Sequence, residues 1–338
     1  MTENFGLLPS GEQASLYTIS CGSLTVKVTD LGAALVSVLV PDSSGALADV
    51  VLGYDDAMGY YTGSAFLGAT VGRNANRVKN ACFPLNGQLI HLTPFERTNN
   101  LHSGLDFLHR RLWKTELRSD NSITFRLDSP NGDQGFPGNA VIRVTYTLEY
   151  PSSLRITYSA LSDTDTVFNL TNHAYFNLAG HDHPEKAMEQ TLMMPARHFT
   201  PCDQRTIPTG ELRDVAGTPM DFRSPKPLNQ DIDADYEPLC LQGGYDHNFE
   251  AFCAPCAVLH DPHSGRTMAV TTDCPGIQLY TANGTKEIGK GGTHYDKRSG
   301  VCLETQFYPD SVNHPEWKQP FTKANTPYRS ETVFQFSW

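Results

Sequence analysis

The chain has 338 residues and a formal net charge of −11 at pH 7. An acidic chain is a poor partner for nucleic acid or for an anionic membrane, because both attract basic patches. We therefore expect no nucleic-acid partner and no membrane partner. The length is enough to bury a large core, and all-β units of this size can form one domain.

The N-terminal segment Met1–Ser20 has no basic stretch followed by an apolar one, which is the pattern of a secretion signal. No apolar run in the sequence reaches the length of a membrane span. We therefore expect a cytoplasmic protein. In that compartment the eight cysteines are expected to be reduced, and most of them should be small core residues.

The first part of the chain alternates between apolar and polar residues in short runs that end at turn residues. Tyr17–Val40 predicts antiparallel strands separated by short turns. Ala81–Leu92 predicts a hairpin, because the dipeptide Asn86-Gly87 favours a tight two-residue turn between strands.

Two polar loops interrupt this pattern. Gly68–Lys79 contains Arg73 and Arg77 and is too polar for the core, so we expect a surface loop or a loop laid across a binding site. Asn99–Gly104 contains His102. A single histidine in a loop is more often an exposed side chain than a functional one, and both interpretations stay open at this point.

The segment Asn169–Gly180 predicts a strand with two different faces. One face is apolar except for Asn172 and consists of Phe168, Leu170, Ala174, Phe176 and Leu178. The other face is polar and uncharged and consists of Asn169, Thr171, His173, Tyr175 and Asn177. Amide, imidazole and phenol groups side by side are typical of a site for a ligand with many hydroxyls, although alternation alone also fits an ordinary exposed strand.

The second half of the chain repeats the strand pattern after a proline-rich stretch. Met193–Asn229 has little periodicity and is expected to wrap the surface. Gly276–Asn283 and Val301–Tyr308 alternate again, with Gln278 and Glu304 on polar faces. Many short strands, few short helices and no internal repeat predict an all-β fold, a large antiparallel β-sandwich, as a single domain over residues 1–338.

Several common catalytic or metal-binding motifs are missing from the sequence. There is no phosphate-binding glycine loop and no Gly-x-Ser-x-Gly nucleophile turn. Cys253 and Cys256 form a single Cys-x-x-Cys pair followed by His260 and His263, which is an incomplete ligand set. We therefore expect no metal and no redox site there.

The chemistry then depends on one histidine and one carboxylate, His173 and Glu304. Free histidine titrates at about 6.5 and free glutamate at about 4.3, so the two can supply a proton donor and a proton acceptor near neutral pH. Taken alone, Glu304 would more often be a surface carboxylate. Its neighbours Gln306 and Tyr308 on the same strand face weaken that interpretation.

With these residues in view, the sequence resembles the aldose 1-epimerases, also called galactose mutarotases. The matching segments follow the family's order over nearly the whole chain: Gly72–Arg77, Asn100–His102, Asn169–Gly180, Tyr245–Phe249, Gln278–Thr281 and Leu303–Pro315. Ser103 is a departure, because the family commonly has glycine after the histidine. This puts the shape of that loop in doubt, but not the chemistry.

The resemblance implies a β-sandwich with a concave sugar-binding face and no cofactor and no metal. It implies that Glu304 is the catalytic base and His173 the acid in the interconversion of the α and β anomers of free aldohexoses such as galactose and glucose. The implied sugar contacts are Asn76, Arg77, His102, Tyr175, Asp246 and Gln278. A small-molecule monosaccharide is then the partner, and we expect a monomer or a weak homodimer.

Two other functions fit the same family. A sugar-binding or regulatory protein would have lost catalysis, but the presence of both Glu304 and His173 favours an enzyme. An epimerase for phosphorylated sugars would need a basic cluster for the phosphate, and the matching segments supply Arg77 without such a cluster.

Overall fold

The alternating segments form thirty β-strands, most of them short, in the computed structural model, which describes residues 1–338. The strands are β1 (Thr2–Leu7), β2 (Gln13–Cys21), β3 (Leu24–Thr29), β4 (Ala34–Pro41), β5 (Leu47–Asp49), β6 (Ala69–Val71), β7 (Arg77–Val78), β8 (Cys82–Leu85), β9 (Gln88–His91), β10 (Asn100–Leu101), β11 (Lys114–Arg118), β12 (Ser122–Ser129), β13 (Ala140–Glu149), β14 (Ser153–Ser162), β15 (Thr166–Val167), β16 (Thr171–His173), β17 (Tyr175–Phe176), β18 (Thr191–Met193), β19 (His198–Thr200), β20 (Arg213–Asp214), β21 (Lys226–Pro227), β22 (Asp246–Glu250), β23 (Ala257–His260), β24 (Thr267–Thr272), β25 (Gly276–Tyr280), β26 (Glu287–Ile288), β27 (His294–Tyr295), β28 (Val301–Gln306), β29 (Phe321–Thr322) and β30 (Tyr328–Ser337).

Helices are few and short. There are two α-helices, α1 (Ala57–Thr62) and α2 (Glu237–Gln242). Short 3₁₀ segments lie at Lys79–Ala81, Leu108–Arg110, Asp133–Gly135, Pro184–Glu189, Leu228–Gln230, Lys290–Gly292 and Ser311–Asn313. No helix is long and apolar enough to cross a membrane.

Three antiparallel sheets make up the body of the molecule. Nine strands form the largest sheet in the order β11-β12-β13-β14-β30-β24-β23-β18-β21, six form β17-β28-β25-β22-β19-β20, and five form β1-β2-β3-β4-β5. The remaining strands pair in twos, among them β6 with β16 and β7 with β10. The predicted all-β antiparallel fold is therefore confirmed.

One hydrophobic core joins the three sheets. A cluster of 55 buried residues takes side chains from all of them. Phe176 of the six-stranded sheet meets Phe334 of the nine-stranded sheet with ring centroids 5.1 Å apart, and Tyr17 of the five-stranded sheet meets Phe125 at 5.6 Å. The nine-stranded sheet thus forms one layer of a sandwich and covers the apolar faces of the other two sheets.

The strands differ in how many of their faces are buried. β13 alternates strictly between buried and half-exposed residues, as expected for a strand with one face in the core. All six residues of β28 are buried, including Glu304 and Gln306. Buried polar side chains need hydrogen-bond partners or a ligand. The face of the six-stranded sheet that carries Glu304 and Gln306 is therefore the expected place of a functional site.

Some predictions about individual segments are confirmed and others are wrong. Asn86 and Gly87 both have positive φ angles, at 51° and 77°, between the paired strands β8 and β9, which confirms the hairpin. Arg73 is fully buried rather than excluded from the core. Its guanidinium donates to the carbonyl oxygens of Ser129, Pro130, Pro137 and Gly138 and so anchors the loop that leads to Arg77.

Two further expectations need correction. The proline-rich stretch Met193–Asn229 does not merely wrap the surface, because Phe199, Met220 and Phe222 belong to the main core cluster. All eight cysteines are free, but only Cys256, Cys274 and Cys302 are buried. A lack of periodicity therefore did not mean a lack of burial, and of the eight cysteines four are half-buried and one is exposed.

Candidate active site

The end of β16 brings His173 close to Glu304 of β28. In the antiparallel pairing of β17 with β28, Tyr175 lies opposite Cys302. His173, two residues earlier, is the last residue of β16, which pairs with β6, and its Nδ1 lies 3.5 Å from Sγ of Cys302. The Nε2 atom of His173 is 3.7 Å from Oε1 of Glu304, and both side chains are buried. This is close enough for both to act on one small ligand.

Burial shifts the pKa values of this pair in opposite directions. Burial raises the pKa of Glu304 well above its usual range, and the nearby Asp246 carboxylate adds to the rise. Burial lowers the pKa of His173 to about 4. Both shifts favour the neutral forms, because the charged forms lose their hydration. Such perturbed groups in a cleft are typical of acid–base sites.

A second histidine faces the pair from the loop around β10. The backbone N–H of Asn76 donates to Nδ1 of His102 over 3.2 Å. Since that nitrogen is the acceptor, the proton of the neutral ring lies on Nε2, and burial lowers the pKa of His102 well below its usual value. His102 therefore presents an N–H donor. The sequence left open whether this histidine is exposed, and it is buried.

The charged part of the site is formed by Arg77 and Asp246. Arg77 donates from Nε and Nη2 to the carboxylate of Glu96, over 2.6 and 2.9 Å. Its Nη1 lies 4.0 Å from Oδ2 of Asp246. Although burial acts to lower the pKa of Arg77, the hydrogen bond to Glu96 helps to raise it, so this side chain stays a cation. The site thus holds one fixed positive charge next to a carboxylate.

Gln278 lies beside Asp246 at the back of the site. Its Nε2 donates to Oδ1 of Asp246 over 2.6 Å, and strand pairing sets it between Asn248 and Glu304. It does not line the cleft itself. Gln278 therefore orients Asp246, which does line the cleft, and a direct contact between Gln278 and a sugar stays a prediction.

These side chains line one cleft of about 180 Å³. The lining consists of Ser64, Ala65, Phe66, Asn76, Arg77, Leu101, His102, His173, Tyr175, Asp246, Tyr280, Gly284, Thr285 and Glu304. Sites for drug-sized ligands usually measure about 300–1,000 Å³, so this space suits one small polar molecule. The cleft brings together seven of the eight residues expected from the sequence.

The chain is similar to known proteins over nearly its whole length. The family model for aldose 1-epimerase matches residues 15–335. An aldose 1-epimerase from Haemophilus influenzae is 39% identical over 97% of this chain and 97% of its own length. The chain belongs to the aldose 1-epimerase family. A galactose mutarotase from Rattus norvegicus is 37% identical over 98% of this chain and 97% of its own length.

Solved structures in the aldose 1-epimerase family share the fold. An aldose epimerase homologue from C. elegans superposes with a TM-score of 0.89 at 31% identity, over 96% of this chain and 99% of its own. A galactose 1-epimerase from Lactobacillus acidophilus gives a TM-score of 0.86 at 25% identity, over 100% and 98% of the two chains. The resemblance read from the sequence is therefore confirmed, and the protein is an isomerase of this family.

The site of this aldose 1-epimerase family member contains residues that sequence reasoning missed. Phe66 lies 5.8 Å from the ring of His173 and 4.9 Å from that of His102, so it forms an apolar wall beside both histidines. Tyr280 packs edge-on against Tyr175, with ring centroids 6.0 Å apart. The alternation of β25 puts Tyr280 on the same polar face as Gln278, so its place near the site could have been predicted. Phe66 lies in the loop between α1 and β6, where a single phenylalanine carries no comparable signal.

The serine that departs from the family pattern connects the two site loops. Ser103 has a φ of 63°, in the region that glycine adopts most easily. Its hydroxyl accepts from the backbone N–H of Asn74 and donates to the carbonyl of Asn74, over 2.9 and 3.0 Å. These two hydrogen bonds hold the loop of His102 against the loop of Arg77 and offset the backbone strain.

The donor sets do not fit a metal ion. One ligand atom from each of His102, His173 and Glu304 lies within 4.8 Å of the others. Nδ1 of His102 accepts from Asn76, so Nε2 carries the proton and has no lone pair for a metal. Cys253 and Cys256 donate to different backbone carbonyls and belong to no ligand cluster. A metal-dependent step therefore does not fit these residues.

Proposed function

We propose that this protein is an aldose 1-epimerase that interconverts the α and β anomers of free aldohexoses such as galactose and glucose. The observation that carries the proposal is the buried pair of His173 and Glu304, with Nε2 and Oε1 3.7 Å apart, at the floor of a small polar cleft. One group of the pair supplies a proton and the other accepts one. Anomer interconversion needs these two transfers and no other chemistry.

The reaction begins with ring opening. Glu304 accepts the proton of the C1 hydroxyl, and His173 donates a proton to the ring oxygen. The bond between C1 and the ring oxygen breaks, and C1 becomes an aldehyde. Rotation about the C1–C2 bond presents the other face of the aldehyde, and the two proton transfers then run backwards to close the ring. Atoms and protons balance over the cycle.

This mechanism requires one proton in total on the pair. Ring opening converts ionised Glu304 and protonated His173 into neutral Glu304 and neutral His173, and closure reverses the change. Burial favours the neutral arrangement, since it raises the pKa of Glu304 and lowers that of His173. Burial thus favours the proton distribution that accompanies the open-chain aldehyde.

The other side chains of the cleft serve sugar binding in this proposal. Asp246 accepts a hydrogen bond from a sugar hydroxyl, while Nη1 of Arg77 and the Nε2–H of His102 are donors. Asn76 adds its side-chain N–H₂ group, because its Oδ1 already accepts from the backbone of Arg77. Tyr175 and Tyr280 supply ring faces at one wall. These groups match an uncharged ligand rich in hydroxyls.

A phosphorylated sugar is a poorer fit. Arg77 is the only arginine or lysine among the residues that line the cleft, and two of its nitrogens are already bound by Glu96. The Asp246 carboxylate, which also lines the cleft, would repel a phosphate. A binding protein without catalysis would need no acid–base pair, and the 3.7 Å approach of Nε2 of His173 to Oε1 of Glu304 in the cleft favours an enzyme.

Polarimetry tests the proposal. Fresh α-D-galactose and α-D-glucose are dissolved with and without the protein, and the optical rotation is followed to equilibrium. We expect a faster approach to the same final rotation for at least one sugar. An unchanged rate for both sugars would reject the assignment, and binding without a rate change would favour a sugar-binding protein. The single domain over residues 1–338, the cytoplasmic location and the monomeric or weakly dimeric state stay predictions.

A further inference from the structure

Two carboxylates compete for the guanidinium of Arg77. Glu96 accepts from Nε and Nη2 at 2.6 and 2.9 Å, in the parallel two-bond geometry that arginine and carboxylate prefer. Asp246 faces Nη1 from 4.0 Å and is not hydrogen bonded to it. Arg77 is therefore held by the carboxylate outside the cleft rather than by the one inside it.

The loop that carries Glu96 is well fixed. The backbone N–H groups of Phe95 and Glu96 both donate to the carbonyl of Asn99, and the N–H of Asn99 donates to the carbonyl of Glu96. The ring of Phe95 packs edge-on against Phe107 with centroids 4.9 Å apart. Leu101, just beyond this loop, pairs with Arg77 in the ladder of β10 and β7. Glu96 and Arg77 are thus joined through backbone as well as through side chains.

We propose that Glu96 is a positioning residue for sugar binding, which holds the guanidinium of Arg77 away from Asp246 and so keeps Oδ2 of Asp246 open to a sugar hydroxyl. The proposal rests on the proposed function. Glu96 does not line the cleft and acts only through Arg77. Asp246 has one oxygen bound by Gln278 at 2.6 Å, which leaves the other for the ligand.

The electrostatics explain why the restraint is needed. Asp246 and Arg77 have opposite charges, and their side chains are only 17% and 12% exposed, so they attract each other more strongly than a fully exposed pair would. Without Glu96, the nearest carboxylate to Arg77 is Asp246, and a shift of about 1 Å would close the 4.0 Å gap to a hydrogen bond. A direct ion pair between Arg77 and Asp246 would occupy both Oδ2 of Asp246, which accepts from the sugar, and Nη1 of Arg77, which donates to it.

The test compares Glu96→Gln with a matched control. The glutamine side chain keeps the shape of Glu96 but lacks the charge that holds Arg77. We expect KM for galactose to rise about tenfold with kcat within about threefold of wild type, since the lost contacts bind substrate and transition state alike. Glu149→Gln removes a similar two-bond pair with Arg155, at 2.8 and 3.0 Å, far from the cleft. It should leave KM and kcat unchanged.

A double-mutant cycle separates positioning from a general loss of structure. Once Asp246→Asn has removed the competing charge, adding Glu96→Gln should raise KM less than about twofold. Equal effects of Glu96→Gln in both backgrounds, or an unchanged KM in the single variant, would overturn the proposal. If wild type and Glu149→Gln show no mutarotation at all, the proposed function fails instead, so the two failures are distinguishable.

Discussion

Oε1 of Glu304 and Nε2 of His173 lie 3.7 Å apart, with Glu304 on β28 and His173 at the end of β16. Both side chains are buried, so their separation is set by the sheet and not by flexible loops. Sites built on strands hold their geometry closely.

Replacement of Glu304 by glutamine should keep the fold and remove most of the activity. The glutamine side chain fills the same space but cannot accept the proton of the C1 hydroxyl, and loss of a general base typically costs about 10²–10⁴-fold in rate. Polarimetry gives the rate, and thermal unfolding checks the fold. A variant within a few-fold of wild type, with unchanged thermal stability, would remove Glu304 from its role.

The double variant of Glu304→Gln and His173→Asn tests whether the two residues act as a unit. His173→Asn alone should be severely impaired, because an amide cannot deliver a proton to the ring oxygen. The double variant should be little slower than the worse single variant, since residues of one catalytic unit are not additive. Rate losses that multiply would contradict a concerted pair.

The pH dependence follows from the directions of the two pKa shifts. The active pair holds one proton, so activity is lost on the acid side when His173 takes up a second proton and on the alkaline side when Glu304 loses its own. Burial lowers the pKa of His173 to about 4, so kcat/KM should persist below the usual histidine range and fall only as the pH approaches 4. The alkaline limit should lie above the usual glutamate range, because burial raises that pKa.

Initial rates from about pH 4 to about pH 9, with the uncatalysed rate subtracted, measure both limits of this profile. Circular dichroism at each pH verifies that the protein stays folded. An acid limit near the usual histidine pKa of about 6.5 in a folded protein would mean that His173 titrates as an exposed imidazole. That result would contradict the lowered pKa of about 4 for His173.

The sequence located most of the acid–base site because strands have a side-chain period of two. That period put His173, Tyr175 and Glu304 on polar faces without any knowledge of which strands pair. The pairing itself, Tyr175 opposite Cys302, is a long-range choice made by the whole core, and local patterns do not contain it. The resemblance to the family supplied the roles that the pattern could not.

Site residues in loops were harder to predict from the sequence than those on strands. Arg73 and Arg77 lie four residues apart in one polar loop, yet the first is buried under backbone carbonyls and the second lines the cleft. Composition cannot separate them, because the difference depends on which way the loop turns. Glu96 was missed for the same reason, since a carboxylate in a loop is ordinarily solvated.

Activity should survive exhaustive dialysis against a chelator in the presence of a reductant. Nδ1 of His102 accepts a hydrogen bond from Asn76, so Nε2 is protonated and cannot complete a metal site with His173 and Glu304. The rate of galactose mutarotation before and after dialysis is the measurement. Loss of activity that zinc alone restores would show that the donor set has been misjudged.

Methyl β-D-galactoside should be neither hydrolysed nor anomerised. The first event in the proposed mechanism is removal of the C1 hydroxyl proton by Glu304, and a methyl glycoside has no such proton. Its other hydroxyls can still meet Asp246 and Nη1 of Arg77, so weak binding is expected, seen as competitive inhibition of galactose mutarotation. A glycosidase also uses acid and base groups, but it attacks the glycosidic bond and releases free sugar.

NMR of the anomeric protons distinguishes these outcomes during long incubation with a large amount of protein. The spectrum should stay that of the β-glycoside, while α-D-galactose added to the same tube equilibrates rapidly and shows that the protein is active. Glu304→Gln serves as the matched control, because any slow change that it shares with wild type does not come from the site. Steady appearance of free galactose or of the α-glycoside with wild type alone would assign the Glu304–His173 pair to a different reaction class.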